Sequence, residues 1–534
     1  MAWRGVGIAL LALGLAAAVL GAVAAPLFDL DRFAFPKELA LNLTALGLVA
    51  MLALRRPLTL GVVEWASLTL AAWSIVSGLF ATNHWLALRA AALTTSGAIV
   101  FVGVRQLVAG APALRRGLGW ALVAIVAAAV ATGLAEALGW ESELLAPTRS
   151  PGGLLGNRNF LAHLAVLGLP LVGWLAIASR GRTAWLPAAL ALAGMVGFVL
   201  LSRSRAAWLG LAAVGGVGVV LLALGNRKQE VRIARGAWLS LASGAALGLL
   251  SLLALPLQLS WKSDTPYRDS LRDVVNYREG SGRGRLIQYR NSLDLVKMDP
   301  VFGTGPGNWA VKYPLVTSEG DPSFAVADPM PTNPWPSSDW VALLVERGPL
   351  GLLLALGTGL VLAVVALRRL RSADLDERVR AAMALALLAG LSVMGCFDAV
   401  LLLAPPTAIA MAGLASTVPE TRALTTVASR AGRARWIALA AVLWTTLAAG
   451  RSAAQLASVV VAGAGTPRDR LERALKLDGS SYRLEVLLAL RAPCPAALDH
   501  AERAARLMPY HPAPPTLARR CGRVRSRTAG RDDR

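Results

Sequence analysis

The chain has 534 residues, of which 55% are hydrophobic and only 16% charged, with a mean hydropathy of +0.55. A water-soluble domain carries about a quarter charged residues, so this composition excludes an ordinary soluble enzyme and points to a polytopic helical membrane protein. The net charge is +22, from 54 Lys and Arg against 32 Asp and Glu. Basic loops on one side of a membrane account for it, and no motif in the chain points to nucleic-acid binding.

The first apolar run, GIALLALGLAAAVLGAVAA (7–25), follows the positive start MAWR. It is longer than the 7–15 residues of a signal-peptide core, and more spans follow, so it reads as an uncleaved first helix. Thirteen stretches are long and apolar enough to be spans: 5–25, 38–54, 58–80, 86–109, 117–139, 160–178, 184–201, 206–224, 237–257, 340–366, 381–403, 405–418 and 436–462. A bilayer needs about 20 such residues per helix. The fold class expected is therefore an all-α polytopic membrane protein with about 12–13 transmembrane helices.

Short basic loops mark the cytoplasmic side. Alternate junctions carry Arg55 and Arg56, Arg115 and Arg116, Arg180 and Arg182, the GNRKQEVRIARG loop (225–236), RRLRSADLDERVR (368–380), and Arg422, Arg430, Arg433 and Arg435. All fall on one side if the N-terminus is cytoplasmic. The polar segment at 258–338 and the tail after 463 are then external. So is LSRSR (201–205), where the charge rule disfavours arginine. Two readings fit Arg203 and Arg205: snorkelling to the headgroups, or facing an anionic ligand at the outer surface.

The external segment holds GRGRLIQYRNSLDLVKMDPVFGTGPGNWAVKYP (282–314). Its Gly-rich stretch, 303–308, lacks the Lys-Ser/Thr of a phosphate loop and the spacing of a dinucleotide fingerprint. Gly305 and Gly307 fit either a tight turn needing positive φ or a close approach to a ligand. Arg283, Arg285 and Arg290 precede them. Arginine suits phosphate because its planar fork donates two parallel hydrogen bonds and stays charged, so the two cationic groups are candidates to meet on one diphosphate. The four histidines, His84, His163, His500 and His511, show no metal spacing, and the expectation is no metal and no cofactor.

The tail repeats an x-E-R-A-x-K/R-L pattern in LERALKL (471–477) and AERAARL (501–507), 30 residues apart. The pattern is similar to the second helix of tetratricopeptide repeats, and implies a small helical module over 463–523 that offers a surface for a protein partner. A flexible basic end, 524–534, follows. Of three cysteines, Cys396 reads as packing, while Cys494 and Cys521 form a disulfide only if the compartment is oxidising and their Cα atoms lie within about 7 Å.

Taken in order, GNRNFLAHL (156–164), SRAAWLGL (204–211), GRLIQYRNSL with GTGPGNW (284–309) and DWVALLVERGPLGLLLALG (339–357) resemble the O-antigen ligase and polymerase superfamily over roughly residues 150 to 405. The resemblance implies a polytopic domain at 1–462 that acts as a metal-independent inverting glycosyltransferase. Its donor would be an undecaprenyl-diphosphate-linked glycan, its acceptor a lipid A core or similar glycan, and its site the periplasmic face of a bacterial inner membrane. It assigns Arg205 and Arg285 to the donor diphosphate, Arg285 being also a catalytic candidate; the residues themselves add Arg203, Arg283, Arg290, Asn157, Asn159, Gly305, Gly307 and Glu346 as further binding candidates. Such ligases carry a histidine nine residues before the glutamate of the E-x-G motif; here Ser337 stands nine before Glu346. Asp339 is the nearest carboxylate and the candidate base, or else a helix cap. Repeat-unit polymerisation is the alternative activity. A lipid-linked glycan transporter is the alternative of another class, disfavoured because transporters place polar groups near the midplane.

Overall fold

The computed structural model describes residues 2–529 except 29, 56–57, 146–147, 180, 227–232, 262, 276–279, 318–319, 326–327, 331–332, 428–431 and 466. The protein is an all-α membrane bundle. Nine helices come first: α1 (Ala2–Leu20), α2 (Asp31–Arg55), α3 (Val62–Gly78), α4 (His84–Val108), α5 (Pro112–Ala137), α6 (Arg158–Ala178), α7 (Arg182–Leu201), α8 (Arg205–Asn226) and α9 (Arg235–Ala254). The long polar segment then supplies α10 (Pro266–Val275), α11 (Gly280–Met298) and the one-turn α12 (Trp309–Lys312). The bundle resumes with α13 (Asp339–Arg369), α14 (Leu375–Phe397), α15 (Ala404–Thr417) and α16 (Gly432–Ala462), and the tail forms α17 (Arg468–Leu477), α18 (Tyr482–Arg491), α19 (Cys494–Leu507) and α20 (Ala513–Ala529).

Every expected span coincides with a helix, and ten helices among the described residues are long and apolar enough to cross a bilayer. The edges differ where capping overrides hydropathy. α14 begins at Leu375, not 381, because Asp374 caps it by accepting from the Asp376 N–H, which draws the polar DERVR into the first turns. Of the basic junctions, Arg56, Arg180, residues 227–232 and Arg430 lie outside the described residues. α20 continues to Ala529, so the expected flexible end from 524 is helical that far; residues 530–534 lie outside the description.

α6 is the central post, with 89% of its apolar stretch buried, packed among α5, α7, α8, α14 and α15. Leu10, Leu13, Leu353 and Leu360 stay exposed on the flank, as solvation by lipid requires. Small residues let helices close up: a Cβ on Gly248 of α9 would lie 2.8 Å from the Ala193 carbonyl of α7.

The junctions collect at two ends. At one, β1 (Leu58–Leu60) pairs antiparallel with β2 (Thr425–Val427), and Arg105 pairs with Glu64 while donating to the Val418 carbonyl. At the other end, the polar segment and the tail share one hydrophobic core: Trp309, Tyr313 and Val345 pack with Tyr482, Val486, Met508 and Leu517. The tail is thus docked rather than projecting. Both copies of its repeated pattern close helices, α17 and α19, and a Cys494–Cys521 disulfide joins α19 to α20 with Cα atoms 5.2 Å apart.

Candidate active site

At the end of the bundle that carries the polar segment, Arg149, Arg158, Arg203, Arg205 and Arg285 line one cavity of about 200 Å³. Two aspartates, Asp273 and Asp398, share it, so the lining is strongly positive. Helix starts reinforce the field. Arg158 and Asn159 open α6, Arg205 and Ala206 open α8, and Ser281 lies in the first turn of α11. Unpaired N–H groups and the macrodipole at such ends favour anions. Ser204, 3% exposed, borders the cavity, and its buried Oγ has no hydrogen-bond partner.

The arginines are held, not dangling. Arg205 donates to the Asp273 carbonyl and to Ser281 Oγ, which ties α8 to the polar segment. Arg203 stands at φ +56°, the one described residue besides glycines with positive φ. Such a conformation costs about 1 kcal/mol or more and persists where the surroundings enforce it. Here Arg203 Nε donates to Ser270 Oγ at 2.9 Å, and Arg203 and Arg158 both lie on the Trp261 ring, 4.6 and 4.9 Å from its centroid. Arg203 is thus held at the cavity wall by its backbone, Ser270 and Trp261.

Residues 189–356 match the O-antigen ligase family model. Among curated proteins, no relative matches the chain. The O-antigen ligase match runs from α7 to the middle of α13, and so takes in Arg203, Arg205, Arg285 and the whole polar segment. It supports a membrane glycan ligase or polymerase activity.

Against that family pattern, the structure separates the candidates. Arg203, Arg205, Arg285 and Asn159 line the arginine cavity. Asn157 sits behind it as the α6 cap, accepting from the Asn159 N–H at 2.9 Å. Arg283 and Arg290, on the same helix as Arg285, are exposed and do not line it; a helix turns 100° per residue, so neither shares the face of Arg285.

Gly305, Gly307 and Glu346 belong to a structural joint. α13 is broken at Gly348, and Pro349 has no N–H to offer the Val345 carbonyl. The Gly-rich turn fills the break: Thr304 N–H donates to Val345 O at 2.9 Å and Gly305 N–H to Glu346 O at 3.0 Å. The Glu346 carboxylate is buried, paired with Arg347 at 3.3 Å.

The expected base is also elsewhere. Asp339 is 3% exposed and does not line the cavity. Its Oδ1 accepts the N–H groups of Val400 (2.9 Å) and Leu401 (3.1 Å), so it pins the turn after α14. At the histidine position, Ser337 uses its backbone: its N–H donates to Gln288 Oε1 at 2.7 Å, and its carbonyl accepts from the Tyr289 hydroxyl at 2.5 Å. Burial pushes the Tyr289 phenol well above its ordinary value, so it remains a donor. The turn that Asp339 pins carries Asp398 to the cavity wall. Its Oδ2 lies 3.3 Å from Asn159 Nδ2, 3.8 Å from Arg285 Nη2 and 3.8 Å from His163 Nε2.

Asp398, His163, Arg149, Arg158 and Ser204 escaped the sequence reading. Signals existed: His163 is four residues after Asn159 in the same motif, hence on the same helix face, and Asp398 is a lone acid inside the stretch taken as the 381–403 span.

Proposed function

We propose that the protein transfers a glycan from an undecaprenyl-diphosphate carrier onto an acceptor glycan, lipid A core or similar, at the periplasmic face of a bacterial inner membrane. The observation that carries this is the convergence of five arginines and the starts of α6 and α8 on one cavity at the end of an apolar bundle. That is the geometry a membrane-borne diphosphate requires, because cations preorganised around the departing phosphate lower the barrier as its charge develops.

In this mechanism the acceptor hydroxyl attacks the anomeric carbon while the bond from that carbon to the diphosphate oxygen breaks. The electron pair leaves with the lipid diphosphate, whose charge meets Arg203, Arg205 and Arg285. The hydroxyl proton passes to the Asp398 carboxylate, which Asn159 and Arg285 orient. Attack opposite the leaving group inverts the anomeric centre. The alternation of basic junctions puts the N-terminus in the cytoplasm, and the arginine cavity and tail outside.

The test is the surface-glycan profile of a deletion strain complemented with wild type or with Arg205→Ala and Arg285→Ala. Loss of capped lipid A core with polymer retained supports ligation. Collapse to single repeats assigns repeat-unit polymerisation instead. Accumulation of donor on the cytoplasmic leaflet indicates transport. A wild-type profile in both variants removes the diphosphate role.

A further inference from the structure

We infer that a second cavity, between the bundle and the tail, binds neutral sugar residues of the acceptor glycan; this rests on the transferase reading above. The cavity, about 210 Å³, lies where the outer ends of α2, α4 and α16 meet α18 and the turn at 401–403. It matches the arginine cavity in size and differs from it in charge balance and apolar wall.

Its charges cancel. Four arginines and four carboxylates line it, and each arginine is engaged. Arg89 grips Glu38 through two bonds of 2.7 Å. Arg483 meets Asp31 at 2.8 Å, Arg451 meets Asp478 at 2.6 Å, and Arg347 meets Glu346 at 3.3 Å. An anion entering here finds its cations already neutralised. A neutral ligand leaves these pairs intact, and their outward lone pairs and N–H groups can replace the hydration its hydroxyls give up.

Two groups on α16 are left waiting. Gln455, 4% exposed, and Arg451 one turn earlier both border the cavity, and Gln455 Oε1 and Arg451 Nε are buried beside it without a hydrogen-bond partner. One is an acceptor and the other a donor. Leaving such groups unmet costs free energy, and a hydroxyl, which donates and accepts at once, answers both. Trp335 and Leu401 to Leu403 add apolar wall, which suits the C–H faces of a sugar ring. Paired polar groups alternating with apolar wall suit a ligand that is itself part hydroxyl and part C–H surface.

Position supplies the link to chemistry. The turn after α14 is a common wall, with Asp398 on the arginine cavity and Leu401 to Leu403 on this one. An acceptor held here would present its terminal hydroxyl past that turn to the base and the donor. The tail completes the site, since Ser480, Ser481, Tyr482 and Met508 line it and Asn83 Nδ2 donates to the Leu507 carbonyl at 2.9 Å beside it.

The experiment is equilibrium dialysis of the full-length protein in detergent. The probes are end-labelled neutral and acidic oligosaccharides released by mild acid from the producing organism's surface glycans. The neutral fraction is expected to bind. Gln455→Leu and Trp335→Ala should each weaken it by about ten-fold with an unchanged melting temperature, and Arg205→Ala should leave it within about two-fold. If Gln455→Leu fails to fold, the partly exposed Trp335 decides. No binding of the neutral fraction, preference for the acidic one, equal loss in Arg205→Ala, or wild-type binding in the folded variants overturns the inference. The transferase reading fails by a separate route, when cells lacking Arg205 and Arg285 still transfer glycan.

Discussion

His163 Nε2 stands 3.8 Å from Asp398 Oδ2, fully enclosed in α6, and neither of its ring nitrogens has a hydrogen-bond partner. The carboxylate therefore has an arginine and an asparagine on its cavity side and an imidazole behind it. The proposed mechanism gives Asp398 the acceptor proton, and that role can be tested directly. Asp398→Asn keeps the shape and removes the base, and should lower transfer by about 100- to 10,000-fold. Asp398→Glu should recover part of it. Immunoblotting of membranes normalises the amount, and co-purifying lipid-linked donor should stay near wild type, since binding does not need the proton acceptor.

The arginines divide by cavity lining rather than by sequence proximity. Arg205→Ala and Arg285→Ala should each reduce transfer by about 100- to 1000-fold, with only partial rescue by Lys, whose point charge cannot reproduce the bidentate fork. Arg203→Ala should behave like them. Arg283→Ala and Arg290→Ala should transfer at near wild-type rates. A loss at Arg283 or Arg290 equal to that at Arg285 would contradict the assignment of the cavity.

Gly305 tests whether the Gly-rich turn is a joint or a binding loop. It has φ +92°, and a Cβ there would lie 2.3 Å from the Ala81 Cβ. Gly305→Ala should destabilise the fold by about 1–3 kcal/mol and lower the membrane level, with activity per molecule retained. Full protein amount with activity lost would favour ligand contact.

The side of the membrane can be read from the tail. A periplasm-active reporter fused after residue 470 should be active, and unreduced protein should yield one linked peptide pair containing Cys494 and Cys521, since such bonds persist in oxidising compartments. Two free thiols, or a reporter active only in the cytoplasm, would reverse the orientation.

Docking of the tail should weaken in acid. His511 is buried against Phe324 and Tyr482, and its Nδ1 accepts the Ala513 N–H at 3.2 Å at the start of α20. Burial holds its pKa below the ordinary 6.5. The unfolded tail therefore binds the proton more readily than the folded one. The stability is fully present above about pH 6.5 and falls as the pH drops through the lower folded value. Limited proteolysis of the tail should accelerate between pH 7.5 and pH 5, and the acceleration should shrink in His511→Phe.

How much of this was legible in advance depends on the range of the forces involved. Hydrophobic length determined the bundle: each of the thirteen expected stretches became a helix, because in lipid a backbone must satisfy its own hydrogen bonds and the helix does so locally. The charge rule flagged Arg203 and Arg205 for the same reason, since it counts basic residues junction by junction along the chain. What faces what was not legible. The turn that carries Asp398 is set by Asp339, some 60 residues earlier in the chain, through the N–H groups of Val400 and Leu401. Arg149 and Arg158 join Arg285 only because α6 stands at the centre of the packing. The sequence shows the tail as a small helical module with a surface to cover, but not what covers it: its apolar face is buried against Trp309, Tyr313 and Val345. Span-forming energy is local and summed along the chain, whereas these contacts are pairwise, distant in sequence and decided by which side chains the packed helices leave facing one another.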